Sequence, residues 1–428
     1  MNDEQRIDDH QPPTTNHQLT YSIITFGCRV NQADSLVIEG DLRARGGVDV
    51  PAEQAELLVV NTCSVTANAD QAARQTIRRI VRNNPSVKVV VTGCYATRRP
   101  DEIAALPNVV RVISNNEKDD LVRRAGTVLW THQTTADRDG DGPCGETLAP
   151  GVAGRTAMTL RVQTGCDQVC SYCIIPTTRG ASRSKPLTAV LADVSRAVAA
   201  GYKEIAITGV HLGSYGRDLP DPSSLVELVG ALAVWPDDVL FRISSLEPMD
   251  CTPEIVELVA SSTRLAPHFH LPLQHGSDDM LRVMRRPYTA MYFCDLVELI
   301  RSRMPHASIG SDLIVGFPGE TDAHFDEMRA VVDRLPLTHL HVFPYSDRPG
   351  TDASALDPKV DGGLTRERGR QLRVIGSEMS RRFRESQVGS VRRALVVDDG
   401  WSAVTDNYLK LRLDLQHARN EWIAIPVS

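Results

Sequence analysis

From residue 20 onward, the hydrophobic positions fall in short β-branched runs separated by amphipathic stretches. "YSIITFGC" at 21–28, "AELLVVNTC" at 55–63, "VKVVVTGC" at 87–94 and "VVRVISN" at 109–115 read as strands. Helical periodicity lies between them at residues 35–45 and 70–82, with a short helix near 100–105. Nearly continuous apolar strands alternating with helices predict a parallel sheet covered on both faces. Residues 131–156 lack periodicity, are rich in Gly, Pro, Thr and Asp, and read as a linker. A second series follows: "TLRVQTGC", "EIAITGV", "VLFRISSL", "HFHLPLQ", "ASIGSDLIVG" and "HLHVFPYS". Six strands with five intervening helices predict an open or partial (βα)6 barrel, whose chemistry collects at the carboxyl ends of the strands. An Arg-rich helix over 365–386 then gives way to alternating strands, a small all-β appendage.

The fold class predicted is therefore α/β, in five parts. These are a tail over 1–19, an open parallel α/β sheet domain over 20–130, the linker over 131–156, the barrel over 157–386 and the β appendage over 387–428. The acidic, polar first residues resemble neither a signal nor a transit peptide, and no apolar run reaches the roughly 18 residues of a membrane span. A cytoplasmic protein is expected. The net charge of −7 excludes a uniformly basic surface. Arg nevertheless outnumbers Lys by 41 to 6, often in pairs. Genomic composition explains such a bias as readily as local phosphate recognition by guanidinium groups.

Nine cysteines in a long chain do not suggest a secreted disulfide framework. In a reducing compartment they point to metal or catalysis. "CDQVCSYC" places Cys166, Cys170 and Cys173 in a C-x3-C-x2-C run. A structural zinc site needs four ligands, and no fourth Cys or His is near: Cys251 is distant and the nearest His is His211. An iron–sulfur cluster on three thiolates instead keeps one iron free for an exogenous ligand. Cys28, Cys63 and Cys94 form a second set, each the last residue of a predicted strand, 35 and 31 positions apart. Ligands of open α/β sheets bind just outside the carboxyl strand ends, so these thiols are expected to converge. Cys144, inside the linker, has no evident role.

The C-x3-C-x2-C run at the end of a first barrel strand resembles the radical S-adenosylmethionine (SAM) enzymes. In order along the chain, "GCRVNQADS", "NTCSVTANAD", "VTGCYA", "GCDQVCSYCIIPTTRG", "RISSLEP", "HLPLQHGSDDMLRVMRR", "IVGFPGET" and "VFPYSDRPGT" resemble the methylthiotransferase family within that superfamily. "VNQ" and "ITGVHLGSYG" resemble its branch acting on N6-threonylcarbamoyladenosine beside the tRNA anticodon.

The resemblance implies two [4Fe-4S] clusters, one on Cys28, Cys63 and Cys94 and one on Cys166, Cys170 and Cys173, all six cysteines serving catalysis. It implies SAM as cosubstrate, near Tyr172, Thr208, Gly209, Ser245, Glu247 and Gly316. The partners it implies are a tRNA anticodon stem-loop and a low-potential donor, flavodoxin or ferredoxin, with no membrane. The appendage resembles a shortened RNA-binding TRAM domain, with Arg392, Arg393, Lys410 and Arg412 as its basic contacts. Arg381, Arg382 and Arg384 on the preceding helix are further candidates, and Arg78, Arg79 and Arg82 form an alternative track. His211, His270 and His275, near strand ends, are either substrate contacts or satisfied core histidines. Other readings are an isopentenyladenosine enzyme, a ribosomal-protein aspartate enzyme, and a non-catalytic iron–sulfur RNA-binding or redox-sensing protein.

Overall fold

The structure is a computed structural model that describes residues 18–129, 149–150 and 156–428. The expected tail, most of the expected linker and Cys144 lie outside the described residues. The first sheet contains β1 (Thr20–Thr25), β2 (Val48–Asp49), β3 (Leu57–Thr62), β4 (Lys88–Gly93) and β5 (Val109–Val112). All its pairings are parallel, in the order β2-β1-β3-β4-β5. Every residue of β3 is buried because alternate side chains serve two cores. Leu58 and Val60 meet Ile77 and Ile80 of α2 (Ala67–Asn83). Leu57 and Val59 meet Ile38 and Leu42 of α1 (Arg29–Ala44), and Leu121 of α5 (Leu121–Leu129) closes the same core.

Two local departures from the pattern bear on the site. Helix α1 begins at Arg29, not near residue 35, because its first turns bury Asn31, Asp34 and Ser35. Buried polar residues there mask the apolar periodicity. Between β4 and α4 (Pro100–Ala104) lies an extra helix, α3 (Cys94–Arg98), which Cys94 opens. None of the three cysteines is the last residue of a strand. Cys28 is the N-cap of α1, Cys63 follows β3 directly, and Cys94 follows β4.

The second α/β unit has β6 (Met158–Arg161), then the antiparallel pair β7 (Gln163–Thr164) and β8 (Arg183–Ser184), which closes the base of the cysteine loop. Within that loop lies α6 (Ile175–Arg179). Next come α7 (Leu187–Ala199), β9 (Glu204–Thr208), α8 (Leu225–Ala233), β10 (Leu240–Ile243) and α9 (Pro253–Ser261). They are followed by β11 (His268–His270), α10 (Asp278–Val283), α11 (Ala290–Arg303), β12 (Ser308–Val315), α12 (Asp322–Arg334) and β13 (His339–Pro344).

The parallel sheets β10-β9-β6 and β11-β12-β13 join through a parallel bridge between Phe241 and Leu265, where the Phe241 amide donates to the Arg264 carbonyl at 2.7 Å. The result is one six-stranded open arc, the partial barrel that the pattern predicts. Helix α13 (Gly362–Gln387) packs on β13, where a Cβ on Gly376 would stand 3.1 Å from Leu340 Cβ. The chain ends in an antiparallel sheet of β14 (Val391–Val397), β15 (Ser402–Thr405), β16 (Lys410–Arg412) and β17 (Trp422–Pro426). Arg393 ties this sheet to Asp238 of the barrel at 2.6 Å, and Arg242 of β10 donates to the Asp406 carbonyl at 3.2 Å.

Candidate active site

The first cysteine set depends on two glycines. At Gly27, with φ +93°, a Cβ would stand 2.5 Å from the Cys63 sulfur; at Gly93, with φ +99°, it would stand 2.1 Å from the Thr62 carbonyl oxygen. Only glycine adopts this backbone without strain and lets the three strand-end loops lie against one another. Cys63 and Cys94 are buried and Cys28 is exposed. Burial pushes the Cys63 thiol up to about 11, and the neighbouring Cys94 and Cys28 add to it. Asn115 donates to the Cys94 sulfur at 3.6 Å and to the Thr178 carbonyl of α6 at 2.8 Å.

A buried charge cluster backs this set. Asp34, fully enclosed, accepts from Lys118 at 3.0 Å, Arg161 at 2.5 Å and Arg179 at 3.0 Å. Burial alone would raise its carboxyl; the three cations outweigh that and hold it well below the usual carboxylate range. Arg161 also meets Asp119 at 2.7 Å, so three cations face two carboxylates. Burial opposes the charge on Arg179, but Asp34 and then the Cys94 and Cys28 sulfurs drive its pKa upward. The excess positive charge therefore faces the thiols. On the other side, Arg98 and Arg348 both pair with Asp70, at 2.5 and 3.0 Å. Arg179 Nε and Arg348 Nη2 are buried without a protein hydrogen-bond acceptor. Thiols, surplus cationic charge and spare buried donors together suit an anionic iron–sulfur cluster.

The barrel set sits in one loop. Gly165, with φ +74°, packs on the Ala181 carbonyl, where a Cβ would stand at 1.9 Å, and the Cys166 amide donates to the Gly180 carbonyl at 3.0 Å. Cys166, Cys170 and Cys173 all open onto one cavity of about 410 Å³. Arg286 donates to the Cys170 sulfur at 3.0 Å, to Tyr288 at 3.1 Å and to the Glu247 carboxylate. His211 bonds Asp250 at 2.8 Å and also Cys166; burial opposes its protonation, but these two partners push it up to about 9. Burial pushes the Cys173 thiol up to about 12, with Cys170 and Cys166 adding to it. Three thiols on one cavity, each near a polar partner or a fellow thiol, again fit a three-thiolate cluster.

A larger cavity of about 950 Å³ brings Cys28 to the same space as Thr208, Gly209 and Ser245. Glu247 lies instead at the barrel cysteines through Arg286. Two other predicted contacts line neither cavity. Tyr172 is packed edge-on against Phe317, ring centroids 6.3 Å apart. Gly316, with φ +73°, packs on Thr365 of α13 while its amide donates to Glu320 at 2.9 Å.

Four histidines line the large cavity: His268, His270, His339 and His341. Asp312 Oδ1 lies 2.9 Å from His270 Nε2 and 3.2 Å from His341 Nδ1. Burial holds His268 and His339 neutral, the latter pushed down to about 4. The neighbouring Asp312 carboxylate raises His341. Sequence reasoning singles out only His270 among these four. The period-two pattern H-x-H in "HFH" and "HLH", which puts each pair on one face of its strand, is the signal that reveals the others. His275 is a core residue, its Nδ1 accepting from the Ser277 amide at 3.0 Å.

Several residues of the expected phosphate track are engaged in ion pairs. Arg381 is committed to Glu378 and Glu385, and Lys410 to Asp398. Arg392 is committed to Asp406, and Arg393 to Asp238 with its guanidinium 3.8 Å from the Trp422 ring. Exposed Arg78, Arg79 and Arg82 on α2 have no ion pair among the described residues.

Residues 20–114 match the uncharacterized protein family UPF0004, and residues 160–332 match the radical SAM superfamily. The threonylcarbamoyladenosine tRNA methylthiotransferase MtaB of Thermotoga maritima is 37% identical over 88% of this chain and 86% of its own length. The chain belongs to the MtaB-type methylthiotransferase family. MtaB of Bacillus subtilis is 33% identical over 92% of this chain and 90% of its own. A tRNA-2-methylthio-N(6)-dimethylallyladenosine synthase of Parafrankia sp. is 34% identical over 89% of this chain and 78% of its own. The fold resembles the radical SAM methyltransferase TsrM of Kitasatospora setae, at TM-score 0.56 and 17% identity over 79% of this chain and 77% of that one. An MtaB-type methylthiotransferase is an enzyme that uses SAM and [4Fe-4S] clusters. Among the described residues no helix is long and apolar enough to cross a membrane.

Proposed function

We propose that this protein adds a methylthio group to C2 of N6-threonylcarbamoyladenosine at position 37 of tRNA, working on the anticodon stem-loop in the cytoplasm. In this reading Cys166, Cys170 and Cys173 hold one cluster and Cys28, Cys63 and Cys94 the other. Thr208, Gly209, Ser245 and Glu247 form the SAM side, with Tyr172 and Gly316 supporting it through Phe317. Residues 20–130, 157–386 and 387–428 act as sulfur-carrying, radical-generating and RNA-facing parts, and flavodoxin or ferredoxin supplies electrons.

The observation that carries the substrate is the shared cavity. Cys28 from the first set and Thr208, Gly209 and Ser245 from the barrel line it together, and its remaining wall mixes histidines, hydroxyls and cationic side chains with Val30, Phe383 and Leu409. A polar threonylcarbamoyl group can meet the wall's cationic side chains and the unpartnered Ser244 hydroxyl and His268 Nδ1, contacts that a dimethylallyl group cannot make.

When bound, the clusters and SAM supply one-electron chemistry, sulfur and a methyl group, which an unpolarised adenine C2–H bond requires. The chain's own residues position and tune these groups. Arg286 holds Glu247 and gives the Cys170 sulfur a hydrogen bond, a contact of the kind that sets cluster potential. Lys118, Arg161 and Arg179 supply positive charge beside the first set, and Asp34 locks them in place.

Anaerobic assays with dithionite, SAM and stem-loops carrying either modified adenosine test the assignment. The methylthio product should form on the threonylcarbamoyl substrate and be at least about a hundredfold slower on the dimethylallyl one. Equal or reversed preference overturns it.

A further inference from the structure

The large cavity contains cations whose charge is already spent and two arginines, Arg384 and Arg29, with no carboxylate partner among the described residues. Arg381 and Lys410 are paired with carboxylates, and His270 and His341 share Asp312. Arg384 is exposed and donates to the Lys410 carbonyl at 3.1 Å. Arg29 is half-buried, and among the described residues it has no carboxylate partner. Its Nη2 donates to the Tyr408 hydroxyl at 2.9 Å, with the guanidinium 5.9 Å from the ring.

Tyr408 is itself fixed. Its φ is +71°, a strained value for a tyrosine, and its ring lies 4.5 Å from His268 with Arg242 over it at 4.8 Å. A backbone held in that region marks a position that the surroundings over-determine. Tyr408 thus acts as a post for a guanidinium that has no carboxylate partner among the described residues and lines the cavity. Arg29 also opens α1, a 16-residue helix whose Cys28 N-cap makes no side-chain cap and whose first turn has no acidic residue. The positive end of that helix adds to the same field.

We propose that Arg29 is the specificity-determining residue that binds the carboxylate of the substrate's threonylcarbamoyl group. This rests on the reading of the function above. C2 must reach the sulfur carried beside Cys28, and N6 is separated from C2 only by N1 and C6 of the same ring. The N6 substituent therefore extends from the ring close to Cys28, and Arg29 is the next residue. A guanidinium takes a carboxylate with two parallel N–H donors, and a neutral substituent gains nothing from it.

The test pairs two variants with two substrates. Stem-loops carry the threonylcarbamoyl group with its free carboxylate or as the neutral methyl ester. The wild type should prefer the carboxylate by about tenfold to a hundredfold in kcat/KM, chiefly through KM. Arg29→Gln should bring that ratio close to one by raising KM for the carboxylate substrate alone, and Arg29→Lys should restore part of it. Iron content and circular dichroism check folding. If Arg29→Gln does not fold, Tyr408→Phe, which frees the guanidinium, should reduce the ratio severalfold. An unaltered ratio in whichever variant folds overturns the proposal, as does an equal loss on both substrates. Failure of the functional reading looks different: the wild type would then modify neither threonylcarbamoyl substrate while modifying the dimethylallyl one.

Discussion

The two cysteine sets present the same three thiols in opposite ways. The barrel set lies within eight consecutive residues, in a loop closed by the two-residue strands β7 and β8. The first set is gathered from the ends of β1, β3 and β4, residues far apart in the chain. The local set needs little scaffolding, and its thiols have Arg286 and His211 as close polar partners. Both sets use glycines at positive φ, but only the dispersed set is backed by a buried cluster of charges that crosses from the first sheet to the barrel. A loop carries its geometry in its own spacing; a set assembled across a sheet carries it in tertiary contacts. Mutations away from the cysteines should therefore damage the first set more.

The largest contrast comes from removing each set. Replacing Cys166, Cys170 and Cys173 by Ala should abolish both reductive SAM cleavage and methylthio product. Replacing Cys28, Cys63 and Cys94 should abolish product while 5′-deoxyadenosine still forms. Reconstituted iron should fall from about eight per chain to about four in each case. Loss of SAM cleavage in both triple variants, with the remaining cluster intact, would break the division between the two sets.

Next in size is Asp34→Asn. It leaves Lys118 and Arg179 buried with no carboxylate and Arg161 with Asp119 alone, and breaking such a buried network costs about 3–5 kcal/mol. Denaturant unfolding should show that loss, together with weaker iron retention at the first set. A change below about 1 kcal/mol would mean that the cluster is not what holds the two regions together.

Arg286→Met sharpens the comparison from the barrel side. Losing the bond to Cys170 and the hold on Glu247 should reduce SAM cleavage by about tenfold to a hundredfold, the usual cost of an outer contact at a metal site. Because hydrogen bonds to a cluster's sulfurs help set its potential, the barrel cluster's potential should move while the other stays in place. Equal shifts in both would contradict their independence.

The smallest effect concerns RNA. Arg78, Arg79 and Arg82 replaced by Gln should flatten the salt dependence of tRNA binding, by about 0.7 to 0.9 in log–log slope for each phosphate no longer neutralised. Arg381, Arg392 and Arg393 replaced by Gln should alter the slope less, since each is already paired with a carboxylate. The reverse order would return the RNA to the C-terminal sheet.

Much of the architecture is legible in one dimension. Strands such as Leu57–Thr62 are apolar on both faces because helices cover both faces, and that composition is visible along the chain. The open barrel follows from its six strands, and both thiol sets follow from chemistry that only cysteine supplies. Pairings of single polar residues are not legible. Asp34 and Arg179 are separated by 145 positions, and Arg286 and Cys170 by 116. Nothing in either neighbourhood separates these arginines from the solvated ones, and Asp34 hides inside a helix start that reads as loop.

By itself, then, the sequence determined the order of the elements, the positions of six thiols and the kind of cofactor they suit. These depend on local periodicity and on the identity of a ligating atom. Only the tertiary structure decided which arginines are spent in ion pairs, that Cys28 shares a cavity with Thr208 and Ser245, and that Arg29 is left without a carboxylate partner among the described residues. Those are properties of distance and burial. A charge acquires its role from what the fold packs within a few ångströms of it, and that neighbourhood exists only once the chain has closed.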